Sequence, residues 1–225
     1  MFDLFLQTDS TALLNNGSEK VESLWSLLSK GGPLMIPLGI LFALAVYFFI
    51  ERWLVIRKAS TLDENFMNLI RDHILSGNLQ AARSVTKNND HPISKMIDKG
   101  LQRIGKPIDA IEKSMDNVAK LELYKLEKNL NILSVISRMA PLFGFVGTII
   151  GLVMLLKQFA AISNPSINQI ADAMYVKLIT SATGLIIGML AFLGYNFLDT
   201  QVSRMANRME SAGSELIDIL QEPTH

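Results

Sequence analysis

Three long apolar runs limit what this 225-residue chain can fold into more than any other feature of it. The first, LMIPLGILFALAVYFFI, carries no charge from Leu34 to Ile50. The second extends from about Ile136 to Phe159, with Arg138 near one end and Lys157 near the other. The third runs from about Met174 to Leu198, with Lys177 near its start and Asp199 just past its end. About 20 such residues span the hydrocarbon core of a bilayer as a helix. Three buried core helices of this length would need a far larger polar shell than the chain supplies. The expected fold is therefore an all-α membrane protein with three transmembrane helices. Lys plus Arg is 21 and Asp plus Glu is 21, so no net charge points to nucleic acid. The chain has no Cys, which excludes disulfides, Cys-based metal sites and thiol catalysis. Its first residues, MFDLFLQTDS, hold acids and no Lys or Arg, unlike a cleaved signal peptide.

Charge sets the orientation. The stretch from Arg57 to Lys128 holds 13 Lys or Arg, several of them close to the membrane ends. The N-terminal 32 residues hold only Lys20 and Lys30, and residues 160–173 hold none. The positive-inside rule makes the large loop cytoplasmic. The expected layout is an outward-facing segment at 1–32, a span at 33–56 and a cytoplasmic helical domain at 57–135. A second span at 136–159, a short outward loop at 160–173, a third span at 174–198 and a cytoplasmic helical tail at 199–225 follow. In a bacterial cell that membrane would be the inner one, with the N-terminus in the periplasm and the C-terminus in the cytoplasm.

Local signals fill in the polar segments. Glu19 to Lys30 has the pattern of an amphipathic helix lying on the membrane, ended by Gly31-Gly32-Pro33. Thr61 and Glu64 have capping-box spacing ahead of Phe66, Leu69, Ile70 and Ile74. Gly77-Asn78 predicts a helix stop followed by an N-cap, and Asn88 to Pro92 a turn. Gly105-Lys106-Pro107 predicts a break, with Pro107 suited to a first helical position. No Pro or Gly then occurs until Pro141, while Ala119, Leu123, Leu126, Leu130 and Leu133 alternate at four and three. The second span thus reads as the outer half of one helix rising from the cytoplasm. The third continues in reverse, with Leu198, Val202, Met205, Met209, Ala212, Leu216 and Ile219 in heptad register. Two helices of about 50 residues, roughly 75 Å each, need neighbours along their length, and the heptads imply a bundle drawn from several subunits.

No catalytic constellation is present, so an enzyme is not expected. His73, His91 and His225 lie in polar segments without metal-like spacing and are expected to be solvated; no phosphate loop and no GxSxG occurs, and no cofactor or metal is expected. The spans carry few polar side chains. Thr148 stands between Arg138 and Lys157, and Thr180, Ser181, Thr183 and Asn196 lie in the third span. Small residues surround them: Gly144, Gly147 and Gly151 in the second span, Gly184 and Gly188 in the third, with GxxxG spacing in each. One reading is close helix packing, with each hydroxyl bonded to its own helix. The other is a narrow polar lane able to solvate an ion. Ser and Thr do not titrate usefully, so a lane of this kind needs a titrating group from another polypeptide.

These motifs resemble the MotA/TolQ/ExbB family of ion-driven membrane motors. The second span, RMAPLFGFVGTIIGLVMLLKQF, is similar to the family's APLxGLLGTVxGxxxxF; the third, IADAMYVKLITSATGLIIGMLAFLGYNFL, to its IAxGIxxALxTTAxGLxxAIPAxxxYN. The approach to the first span, LLSKGGPLMIPLGILFALAVYFFIERW, resembles the ExbB/TolQ pattern KGGPVMxPI…ERL, and three spans favour that branch. The resemblance implies a pentamer whose second and third spans line a pore. In that pore would sit the single spans of ExbD- or TolR-type partners, which supply an Asp, and a TonB-like protein would reach across the periplasm. Carried over by motif, Thr148 faces that Asp, Ser181 stands where the family usually has Thr, Thr180 is the adjacent hydroxyl, and Pro141 begins the membrane part of the second span. Two departures are visible. Val176-Lys177-Leu178 replaces Glu-Ala-Leu, and Met189-Leu190-Ala191 lacks the Pro of IPA. The function implied is a proton-conducting motor subunit; a passive three-helix scaffold and a sodium-driven relative remain as alternatives.

Overall fold

A computed structural model of the protein describes residues 34–61, 65–161 and 166–221. Among the described residues every element is helical: α1 (Met35–Ala59), α2 (Phe66–Leu75), α3 (Leu79–Lys87), α4 (Pro92–Leu101), α5 (Ile108–Glu127), α6 (Leu130–Ala160) and α7 (Ile167–Gln221). Three are long and apolar enough to cross a membrane: α1, α6 and the part of α7 from Lys177 onward, with mean hydropathies of 1.9, 2.2 and 1.8. The amphipathic stretch Glu19–Lys30, the loop residues Asn164 and Pro165, and His225 lie outside the described residues.

In the apolar half, α6 and α7 run antiparallel and α1 packs across both. Leu38 of α1 is buried with Ala140 and Ile187, and Ala45 with Ile136 and Ala191. Only 17% of the apolar window of α1, and 28% of each of the other two, is buried within the chain. The remaining apolar faces suit lipid or other polypeptides.

In the other half, α2 to α5 fold back along the distal part of α7. Phe66, Ile70, Ile97, Leu101, Met115, Met209 and Leu216 share one core. Local chemistry explains the turns. Gly77 takes the left-handed conformation (φ +71°) that ends α2, and Asn78 caps α3 by accepting from the Ala81 N–H at 3.1 Å. Gly105 is also left-handed (φ +90°). Pro107 takes the N-cap position, one place ahead of the expected first helical position.

Four sequence expectations are corrected. The helix expected to run unbroken from Pro107 through the second span is two helices, divided at Lys128–Asn129, where Asn129 is left-handed (φ 68°). Asn tolerates that conformation better than other residues with a Cβ. The break is also held from outside: Arg52 donates to the Lys125 carbonyl at 3.2 Å, and Asn129 donates to Glu51 at 3.4 Å. Secondly, the heptad from Leu198 to Ile219 is buried against α2, α4 and α5 of its own chain. Its periodicity therefore does not itself require a neighbouring subunit.

Thirdly, Thr61 does not cap α2. Its hydroxyl donates backward to the Arg57 carbonyl at 3.2 Å, Asn65 holds the N-cap position, and Glu64 lies outside the described residues. Finally, His91 is buried. It caps α4, its Nδ1 accepting from the Ile93 N–H at 3.1 Å. Pro92 at the next position supplies no N–H, so the cap serves the first donor available.

Candidate functional site

The seam between α6 and α7 is built from small residues. On α6, Ala140, Gly144, Gly147 and Gly151 recur at four, three and four, one stripe of a helix. A Cβ added at Gly184 would lie 2.6 Å from the Ala140 carbonyl oxygen and 3.0 Å from the Gly144 Cα. One at Gly144 would lie 3.1 Å from the Ser181 Cα. The two backbones therefore meet where glycine faces glycine, the close approach that small-xxx-small spacing permits. Below this point Gly188 receives the Pro141 ring, whose Cγ would be 2.5 Å from an added Cβ. Pro141 has no N–H to give to the Ser137 carbonyl, and that oxygen also faces Gly188.

Above it, Gly147 receives the methyl of Thr180, and Gly151 receives the methylene stem of Lys177. Beside Gly151 lies a cleft of about 680 Å³ whose lining includes Lys157, Gln158 and Lys177. Two cationic side chains thus stand near one end of the apolar seam.

The hydroxyls occupy different depths. Thr180 is buried in the seam; Ser181 is half-buried, its backbone against Gly144. Thr148 is half-buried on the flank of the seam, one residue on from Gly147, and its hydroxyl donates to the Phe145 carbonyl at 2.6 Å. Thr183, two residues on from Ser181, is half-buried and donates to the Ile179 carbonyl at 2.9 Å. So the seam brings Gly144, Gly147, Gly151, Gly184, Gly188, Pro141, Thr180 and Ser181 together. It leaves Thr148 beside them, bonded to its own helix.

One residue with a positioning role stands just past the uncharged run of α1, between Glu51 and Trp53. Arg52 is 6% exposed. It lies seven residues beyond Ala45 and fourteen beyond Leu38, the inward stripe of α1, and that spacing is the sequence signal for it. Its guanidinium binds Glu51 and the last turn of α5 together.

The structure thus joins three helices long and apolar enough to cross a membrane with a glycine seam and a buried hydroxyl between α6 and α7. The sequence profile of the MotA/TolQ/ExbB proton channel family matches residues 88–211, more than half of the chain, and the chain belongs to that family. Its relatives fall in the ExbB/TolQ branch. A biopolymer transport protein ExbB homolog of Methanothermobacter thermautotrophicus is 24% identical over 75% of this chain and 61% of its own length. An ExbB-like protein of Synechocystis is 26% identical over 86% of this chain and 77% of its own. Biopolymer transport protein exbB1 of Vibrio cholerae is 25% identical over 84% and 85%. The match thus spans less than two thirds of the archaeal relative.

Proposed function

We propose that this chain is the ion-conducting subunit of an inner-membrane motor that energises transport or envelope work beyond the membrane. It works as a homo-oligomer, a pentamer by family likeness, around the single spans of an ExbD- or TolR-type partner. The observation that carries this reading is the hydroxyl-bearing glycine seam in spans whose interiors hold no carboxylate of their own. An ion entering such a lane needs a titrating group, and the partner's Asp supplies it. Thr148 and Ser181 then solvate that Asp as it is charged and discharged, with Thr180 behind them in the seam as the adjacent hydroxyl of the ion path. The driving force is about 2.3 kcal/mol per charge per 100 mV. Apolar faces left uncovered on α6 (Phe145, Val153) and α7 (Ile186, Met189) are available to partner spans and further copies. The large loop and C-terminus face the cytoplasm in this reading, and the 160–173 loop faces outward.

One observation favours a second reading, the passive scaffold: Thr148 and Thr183 both donate to carbonyls of their own helices. Magnitudes weigh against it. A neutral hydrogen bond contributes about 0.5–1.5 kcal/mol net, and one to a charged group about 1.5–3. A carboxylate reaching Thr148 would outbid the Phe145 carbonyl. Thr148→Val keeps the shape and removes the hydroxyl; Thr148→Ser keeps the hydroxyl. The expected result is that Thr148→Val co-purifies with the partner but loses energised uptake, with Thr148→Ser milder. A Thr148→Val complex that assembles and works at the wild-type level would make Thr148 a packing residue. Repeating uptake in sodium-free medium and with a protonophore separates H⁺ from Na⁺ as the driving ion.

A further inference from the structure

Outside the apolar half, α5 and α7 diverge to leave a groove of about 510 Å³. Its floor is apolar and rich in methionine: Met96, Met115 and Met209, with Ala119 and Ile217 beside them. Methionine side chains adapt to what they are packed against. The rim is acidic. Glu112 and Asp116 on α5, and Glu210 and Asp218 on α7, are all exposed, against a single Lys120. From Glu112 to Leu123 the groove follows α5 for about 16 Å, three helical turns at 1.5 Å per residue. A groove of this length and lining fits one amphipathic helix with basic flanks.

The same chain presents such a helix face. On the outer side of α5, Leu121 and Tyr124 are 62% and 69% exposed, the least covered apolar side chains of that helix. They continue a stripe with Lys113, Asn117 and Lys128, all exposed. This stripe lies roughly 130° around α5 from the groove, counting 100° per residue. A chain cannot fill its own groove with the opposite flank of the helix that forms it, but a neighbouring copy can. We propose that the acid-rimmed groove between α5 and α7 receives the Leu121–Tyr124 face of α5 from the next copy of this chain. The contact joins two different faces, so it is head-to-tail and builds a ring when its rotation closes. Carboxylates meet lysines across it, and Leu121 and Tyr124 meet the methionine floor. The inference rests on the homo-oligomer reading above and adds the surface that fixes neighbour to neighbour outside the membrane.

The chain has no Cys, so paired cysteines report cleanly. Two differently tagged full-length chains, one with Ser214→Cys in the groove wall and one with Tyr124→Cys, are co-expressed and treated in membranes with a short bis-maleimide. The expected product is a mixed dimer carrying both tags, and a single chain with both cysteines should give a ladder. Reversing the rim in the groove chain (Glu210→Lys with Asp218→Lys) should cut the mixed product about tenfold. Adding Lys113→Glu and Lys128→Glu to the other chain should restore most of it. Native mass measurement of the uncrosslinked protein separates the two levels of failure. An intact oligomer without mixed product, with only like-to-like products, or with the groove cysteine captured by a different polypeptide overturns the groove proposal and leaves the assembly reading standing. A stable monomer overturns both.

Discussion

One methyl group at Gly184 would strike the α6 backbone itself, at the Ala140 carbonyl oxygen and at Gly144, where no flexible side chain can yield. Opening the seam or straining it costs about 1–3 kcal/mol in typical overpacked sites. Gly184→Ala is therefore expected to lower thermal stability in detergent, whereas Gly39→Ala, with nothing within 4 Å of the added carbon, should leave it unchanged or slightly raised. Equal effects at both sites would remove the seam from the account. His91 carries a pH dependence. Burial holds its pKa below the ordinary histidine range, with Arg208 and Lys95 adding to the effect and the Ala59 carbonyl opposing it. The neutral ring is the one the fold accepts. The unfolded chain takes up its proton first as pH falls through the ordinary histidine value near 6.5, so His91's contribution is complete above that value and is lost below it. Melting followed from pH 7.5 to 5 should show a fall that His91→Asn reduces, since Asn can still cap α4 but does not titrate. An unchanged slope in His91→Asn would assign the acid sensitivity elsewhere. The sequence could not place this histidine indoors, because its neighbours Asn89, Asp90 and Pro92 look like an ordinary surface turn.

The break between α5 and α6 shows where periodicity stops being informative. Leu126, Leu130 and Leu133 keep the apolar rhythm straight across it, and neither Gly nor Pro marks it. What bends the chain is a left-handed Asn129 and a clamp from Glu51 and Arg52, more than seventy residues earlier. The apolar spans and the Gly-x-x-x-Gly stripes were legible because they depend on local pattern; the break was not, because its partners are distant. Asn129→Gly should be tolerated, while Asn129→Val should lose about 1–2 kcal/mol by forcing a β-branched residue into the left-handed region. Arg52→Ala should cost about 1.5–3 kcal/mol, the scale of a hydrogen bond to a charged group. Arg52→Lys should recover little of it, because an ammonium lacks the planar fork that spans Glu51 and the Lys125 carbonyl. Thermal unfolding of the purified protein ranks all four, and a neutral Arg52→Ala would reduce the clamp to a surface contact.

Taken whole, the molecule has two unequal routes between its apolar half and its helical domain. The α6–α5 route contains the joint at Asn129. The other is α7, 55 residues in one piece with no proline between Ile167 and Gln221, about 82 Å at 1.5 Å per residue. Its heptad was legible in the sequence; its burial within one chain was not, since the pattern of a stripe does not say which surface will cover it. One end of α7 meets α6 at Gly184, and near the other Leu216 packs against Gly100. One residue inserted after Gln201 would turn everything beyond it by about 100°. Leu216 would leave its seat while the membrane seam kept its register. The expected outcome is a protein that still inserts and pairs α6 with α7, but whose distal half is cut readily by protease. In the motor reading such a rod would serve as a drive shaft, carrying a twist from the bilayer to a point some 48 Å away, the axial distance from Gly184 to Leu216 at about 1.5 Å per residue. The jointed route beside it would carry the same twist only as far as the clamp of Glu51 and Arg52 on the joint holds.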